Sequence, residues 1–134
     1  MKHFDYFAPT EIIFGAGRVT EAGGLAARYG EKAMLGTVPE FPAVAELYAK
    51  VKKSLADAGV ACVHYDGVIP NPTTELVTRG AELAKAEGVD VVIGLGGGSS
   101  MDTAKAIAVE ATHPGTAWDY NCHTAGPTEQ TLPI

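Results

Sequence analysis

The sequence is poor in positive charge, with 10 lysines and arginines against 16 aspartates and glutamates, a net charge of −6 and a pI near 5.1. Nucleic-acid backbones and anionic membrane surfaces are recognised through clustered basic residues, so neither is expected as a partner and a small molecule is. Cysteine is scarce as well. Cys62 and Cys122 are far apart and do not form the dense pattern of an extracellular disulfide scaffold, so both are read as reduced thiols. Cys62 lies in a strand-like run, where it is expected to pack as a small hydrophobe, and Cys122 lies in a loop-like stretch. Long apolar runs are missing: none approaches the ~18 to 20 residues that cross a bilayer. The opening Met1-Lys2-His3-Phe4-Asp5 also lacks the apolar core of a signal peptide, which predicts a cytoplasmic protein. Chelating patterns are absent too. His3, His64, His113 and His123 show no His-x-x-x-His spacing, and the neighbours Cys122 and His123 are poorly placed to hold one ion together. No serine, histidine and acid constellation suggests a hydrolase, so no catalytic residue and no metal ligand is assigned within the chain.

What is present fits one folded domain over residues 1–134, with 46% hydrophobic and 19% charged content. Short apolar runs alternate with longer segments of helical period, which predicts an α/β fold: a Rossmann-like parallel sheet flanked by helices. Strands are expected at 11–14, 33–36, 60–65 and 89–95. A short helix is expected from about Thr20, as N-cap, to Tyr29. A second spans 43–58, where Val44, Leu47, Val51, Leu55 and Ala58 recur at three and four and Lys50, Lys52 and Lys53 lie off that stripe. Asn71-Pro72 is read as the cap and first residue of a third helix running to Glu87. A fourth runs from the glycines to about Ala111, followed by a long connection over 113–130 and a new apolar run from Thr131.

The nearly continuous apolar run ending at Leu95 delivers the chain into Gly96-Gly97-Gly98-Ser99-Ser100. Glycines let a backbone approach an anion without a Cβ in the way, and the first N–H groups of the following helix point at it with the positive end of the dipole behind them. This predicts a phosphate site, with Ser99 as N-cap and Asp102 completing a capping-box pattern. Gly15-Ala16-Gly17 imitates the start of a dinucleotide fingerprint but lacks its third glycine, and is read as a turn.

Gly-Gly-Gly-Ser-Ser-Met-Asp-Thr-Ala-Lys at 96–105 resembles the Gly-Gly-Gly-Ser-x-x-Asp-x-Ala-Lys signature of the iron-containing, group III alcohol dehydrogenases. The stretches from Pro9 to Gly17 and from Tyr65 to Pro72 resemble that family's opening strand and a loop between a strand and its next helix. The resemblance implies an NAD- or NADP-dependent oxidoreductase that interconverts alcohols and aldehydes or ketones. It also implies a two-domain homodimer in which an α/β cofactor domain precedes an all-helical domain holding a divalent metal, iron or zinc. It places Gly96, Gly97, Gly98 and Ser99 on the pyrophosphate, Ser100 and Asp102 towards the nicotinamide, and Asn71 at the adenosine end. Lys105 matches the motif, but two turns into the helix it belongs either on a solvated face or to the fold, and no catalytic role is assigned to it. Trp118-Asp119-Tyr120 resembles a segment flanking the family's cleft.

Two departures from the family stand out. Where many NAD-using relatives carry an acid after the strand ending at Thr37, this sequence has Val38 and then Pro39, so NADP is expected to be accepted at least as well as NAD. The helical metal domain is absent from these residues, so the chain is expected to be a truncated cofactor domain that binds a dinucleotide and is inactive alone. The alternatives are a relative of glycerol dehydrogenase or dehydroquinate synthase, against which Ser99 argues, and a non-catalytic dinucleotide-binding module.

Overall fold

The computed structural model describes residues 3, 5, 7–121 and 130–134. Three parallel strands, β1 (Lys32–Gly36), β2 (Ala61–Tyr65) and β3 (Val91–Gly94), form a sheet in the order β2-β1-β3. Four helices accompany it: α1 (Ala22–Ala26), α2 (Pro42–Asp57), α3 (Thr74–Glu87) and α4 (Gly98–Glu110). This is the expected α/β Rossmann-like arrangement.

The period-two alternation of β1 divides the core. Ala33 and Leu35 face one side, where they pack with Ala26 of α1 and Val51 and Leu55 of α2. Met34 faces the other, with Val77 and Ala84 of α3 and Ala104, Ile107 and Ala108 of α4. Both faces are thus covered, as a parallel sheet requires. Ile107 is fully buried in the second layer, a position worth about 1.5–3 kcal/mol in apolar transfer. Helix α3 stops at Gly88, whose φ of 63° is the left-handed conformation that ends helices.

Several expectations are corrected. The apolar run 11–14 forms no strand: Ile12 and Phe14 are exposed, and no neighbour offers the segment a hydrogen-bonding ladder among the described residues. The helix expected from Thr20 is a 3-10 turn, Arg18–Glu21, followed by the five-residue α1. The Thr20 hydroxyl donates back to the Gly17 carbonyl instead of capping. Gly15-Ala16-Gly17 is indeed a turn. Along α2 the buried residues are Tyr48, Val51 and Leu55, whereas Leu47 and Ala58 are exposed, so the apolar stripe is rotated towards Tyr48. Cys62 is exposed, because β2 is a sheet edge that α2 only partly covers. Cys122 and His123 lie outside the described residues.

Asn71 is not a helix cap. It adopts φ 55°, a conformation asparagine tolerates, and the helix starts three residues later behind Thr73. At the far side of β3 the Val92 N–H donates to the Pro133 carbonyl at 2.9 Å, so the apolar run beginning at Thr131 does return beside the sheet.

Candidate functional site

Strands β1 and β3 are neighbours, yet the helices that follow them lie on opposite faces, α2 against Leu35 and α4 against Met34. The two connecting loops therefore diverge at the carboxyl end of the sheet and leave a crevice, the place where open α/β sheets bind ligands. Its floor is closed by the Leu95 N–H donating to the Gly36 carbonyl at 2.9 Å.

The β3 bank is the glycine turn. A side chain on Gly94 would sit 2.6 Å from the Ser100 carbonyl oxygen and 3.0 Å from the Ala104 Cβ, so this residue lets α4 lie close against β3. Sequence reasoning missed it, although a glycine inside an apolar strand signals close backbone approach. Gly96 has φ 148°, and a Cβ there would collide with the Ser100 hydroxyl. Gly97 and Gly98 differ: an added Cβ would meet nothing within 4 Å, so both border open space.

Helix α4 begins at Gly98 with Gly97 as N-cap, and no side chain caps its first turn. Ser99 is thus not the cap, because the chain is already helical one residue before it. Its hydroxyl instead accepts the Asn71 N–H at 3.3 Å, which brings two of the expected site residues together. The serine keeps its own proton to donate. The Ser100 and Met101 N–H groups donate to the Gly97 carbonyl at 3.0 and 3.2 Å, so the Gly98 and Ser99 N–H groups are the ones left at the crevice, with a 13-residue dipole behind them.

Ser100 and Asp102 do not converge. Two residues apart on a helix, they point about 200° from one another. Ser100 is buried against Gly96, while Asp102 is exposed and pairs loosely with Lys105 at 3.8 Å. Asp102 does share a shallow pocket of about 230 Å³ with Trp118, Pro72 and Thr73. Lys105 is on the solvated face, its side chain 65% exposed.

The β1 bank carries no acid at Val38, and its polar groups are engaged with one another. The Thr37 hydroxyl donates to the Val38 carbonyl at 2.8 Å, and the Tyr48 hydroxyl donates to the same carbonyl at 3.2 Å. Thr37 Oγ1 also lies 2.8 Å from His64 Nε2. A hydroxyl has one proton, so with that proton on Val38 the histidine must be the donor, through an Nε2–H. The Tyr48 ring meets His64 edge-on, with centroids 5.9 Å apart. Burial, and secondly the positive charge of Lys52, hold the His64 pKa below its ordinary value against the opposing pull of Asp66 and Glu40. Sequence reasoning named His64 only among four histidines without chelating spacing and overlooked Tyr48.

Larger hollows lie elsewhere, one of about 490 Å³ bordered by Thr20, Arg28, Ser54 and Asp57, but they contain none of these residues. Among the described residues no three His, Cys, Asp or Glu side chains come together as metal ligands.

The model of the iron-containing alcohol dehydrogenases matches residues 9–134. Choline dehydrogenase of Bacillus subtilis is 44% identical over 122 residues, covering 90% of this chain and 30% of that protein. NADH-dependent butanol dehydrogenase A of Clostridium acetobutylicum is 31% identical over 123 residues, covering 89% and 31%. An archaeal halo-thermophilic alcohol dehydrogenase from a Red Sea brine pool superposes with a TM-score of 0.92 at 39% identity, over 100% of this chain and 36% of that one. The chain thus spans about a third of the length of the proteins it matches. A parallel sheet with a glycine turn at its switch point, a family match over nearly every residue and these likenesses agree: the chain belongs to the iron-containing alcohol dehydrogenase family.

Proposed function

We propose that the chain is the cofactor-binding portion of a nicotinamide-dependent oxidoreductase that interconverts small alcohols with aldehydes or ketones. The observation that carries this reading is the pair Gly97 and Gly98, which leave open space in front of an uncapped helix N-terminus. An anion such as a pyrophosphate fits that cradle: a Cβ would fill it, and backbone N–H groups line it. The bound nicotinamide supplies or accepts the hydride. The chain's own residues hold and orient it: Gly96, Gly97, Gly98 and Ser99 at the pyrophosphate, and Asp102 with Trp118 at the rim. Asn71 and Val38 stand towards the adenosine. Ser100 acts through its packing against Gly96.

The names of the relatives support NADH as a cofactor and alcohols as substrates, and do not favour the glycerol-dehydrogenase or dehydroquinate-synthase alternative. The missing acid at Val38 supports acceptance of NADP, since no carboxylate there repels a 2′-phosphate. The described residues do not fit a metal centre. A homodimeric cytoplasmic assembly belongs to the same reading.

Gly97→Val tests it. Gly97 has φ −88° and room for a side chain, so the variant should fold and lose at least about tenfold in affinity for NAD and NADP by calorimetric titration. Unchanged affinity in the folded variant overturns the site.

A further inference from the structure

We propose that Thr37, with Tyr48 and His64 behind it, is a positioning set that governs discrimination between dinucleotides with and without a 2′-phosphate. The inference rests on the cofactor reading above. Its observation is the double capture of one carbonyl. The Val38 oxygen receives hydroxyl protons from Thr37 at 2.8 Å and Tyr48 at 3.2 Å, which occupies both lone pairs. Thr37 is fully buried, and its direction is fixed in turn by His64 Nε2 at 2.8 Å. The backbone on either side is tied as well: the Thr37 N–H donates to the Tyr65 carbonyl and the Val68 N–H to the Thr37 carbonyl.

The consequence for a nucleotide is electrostatic. A free carbonyl on this bank would accept a ribose 2′-hydroxyl and repel the acceptor-only oxygens of a 2′-phosphate. With its lone pairs turned to Thr37 and Tyr48, the Val38 carbonyl does neither. The next residue, Pro39, has no N–H, and the Val38 side chain is apolar, so the bank is inert to both sugars. Releasing the carbonyl restores the acceptor, which favours NAD over NADP.

The experiment measures calorimetric affinities of NAD and NADP for the chain and for Thr37→Val, Thr37→Ser and Tyr48→Phe. Thr37→Val is expected to lower the NADP-to-NAD affinity ratio about five- to tenfold and Tyr48→Phe about two- to threefold, the range of one hydrogen bond. Thr37→Ser keeps the hydroxyl and should stay within about twofold of the unmutated ratio. If Thr37→Val does not fold, Tyr48→Phe decides, because it leaves the buried threonine in place. A ratio unchanged in the folded variants, an equal loss for both cofactors, or a serine variant as altered as the valine one overturns the proposal and leaves the cofactor site standing. Failure of the unmutated chain to bind either dinucleotide overturns the site reading and this inference together.

Discussion

The two banks of the crevice commit their hydrogen bonds in opposite ways. Beside β1, the Val38 carbonyl, the Thr37 hydroxyl and the His64 ring are engaged with one another. Beside β3, the first turn of α4 has no side-chain cap and borders open space at Gly97 and Gly98. The first bank is finished without a ligand and the second is not. Binding energy is available where backbone donors are left without partners, and shape is supplied where they are not.

The sharpest way to break this contrast is to spoil the packing under the open bank. Gly94→Val drives a branched side chain into the Ser100 carbonyl and the Ala104 methyl, and should cost about 3 kcal/mol or more in denaturant unfolding. Stability within about 1 kcal/mol of the unmutated chain would show that α4 does not need this close approach. A smaller effect is expected from Ser99→Ala, which removes a hydroxyl whose oxygen accepts the Asn71 N–H and whose proton is left to give. NAD and NADP should both bind about tenfold more weakly, as for a hydrogen bond to a charged group. Equal affinity in serine and alanine forms would remove Ser99 from the site.

The finished bank has its own signature in pH. Burial and Lys52 lower the folded-state pKa of His64 below the ordinary 6.5, so the unfolded chain binds the proton more readily. The stabilising contribution is therefore full above pH 6.5 and is lost as the pH falls through the folded value. His64→Gln keeps a donor towards Thr37 and removes the titration, so thermal unfolding should show a shallower decline between about pH 7 and 5. An identical slope in both proteins would mean that His64 does not titrate differently on folding.

How much of this was legible in the sequence depends on what each feature rests on. The central strand, α2, α3 and the glycine turn are local patterns, and all appear within a few residues of where periodicity and glycine place them. The run 11–14 has the same apolar character as a strand but finds no partner among the described residues, and being a strand is a property of a pair. Gly15-Ala16-Gly17 and Gly96-Gly97-Gly98 look alike as letters. One leads into a four-residue 3-10 turn, the other leaves a buried strand and opens a 13-residue helix. The bond between Thr37 and His64 joins residues 27 apart and exists only in the register that sets Leu35 beside His64. Ser99 was misread for a finer reason, since capping depends on which glycine first turns helical.

The strand order also fixes when the crevice can exist. Ala33 pairs with Cys62 on one side and with Val91 on the other, a residue twice as far along the chain. The β1–β2 pair closes the shorter loop around α2, whereas the β1–β3 pair must enclose α2, β2 and α3 and so carries the larger closure entropy. The proposed dinucleotide cradle lies across that second pair. It is completed only when the longest loop in the sheet is shut, so a cofactor bound there would act as a latch on the finished molecule, retarding unfolding by mass action without assisting the steps that come before.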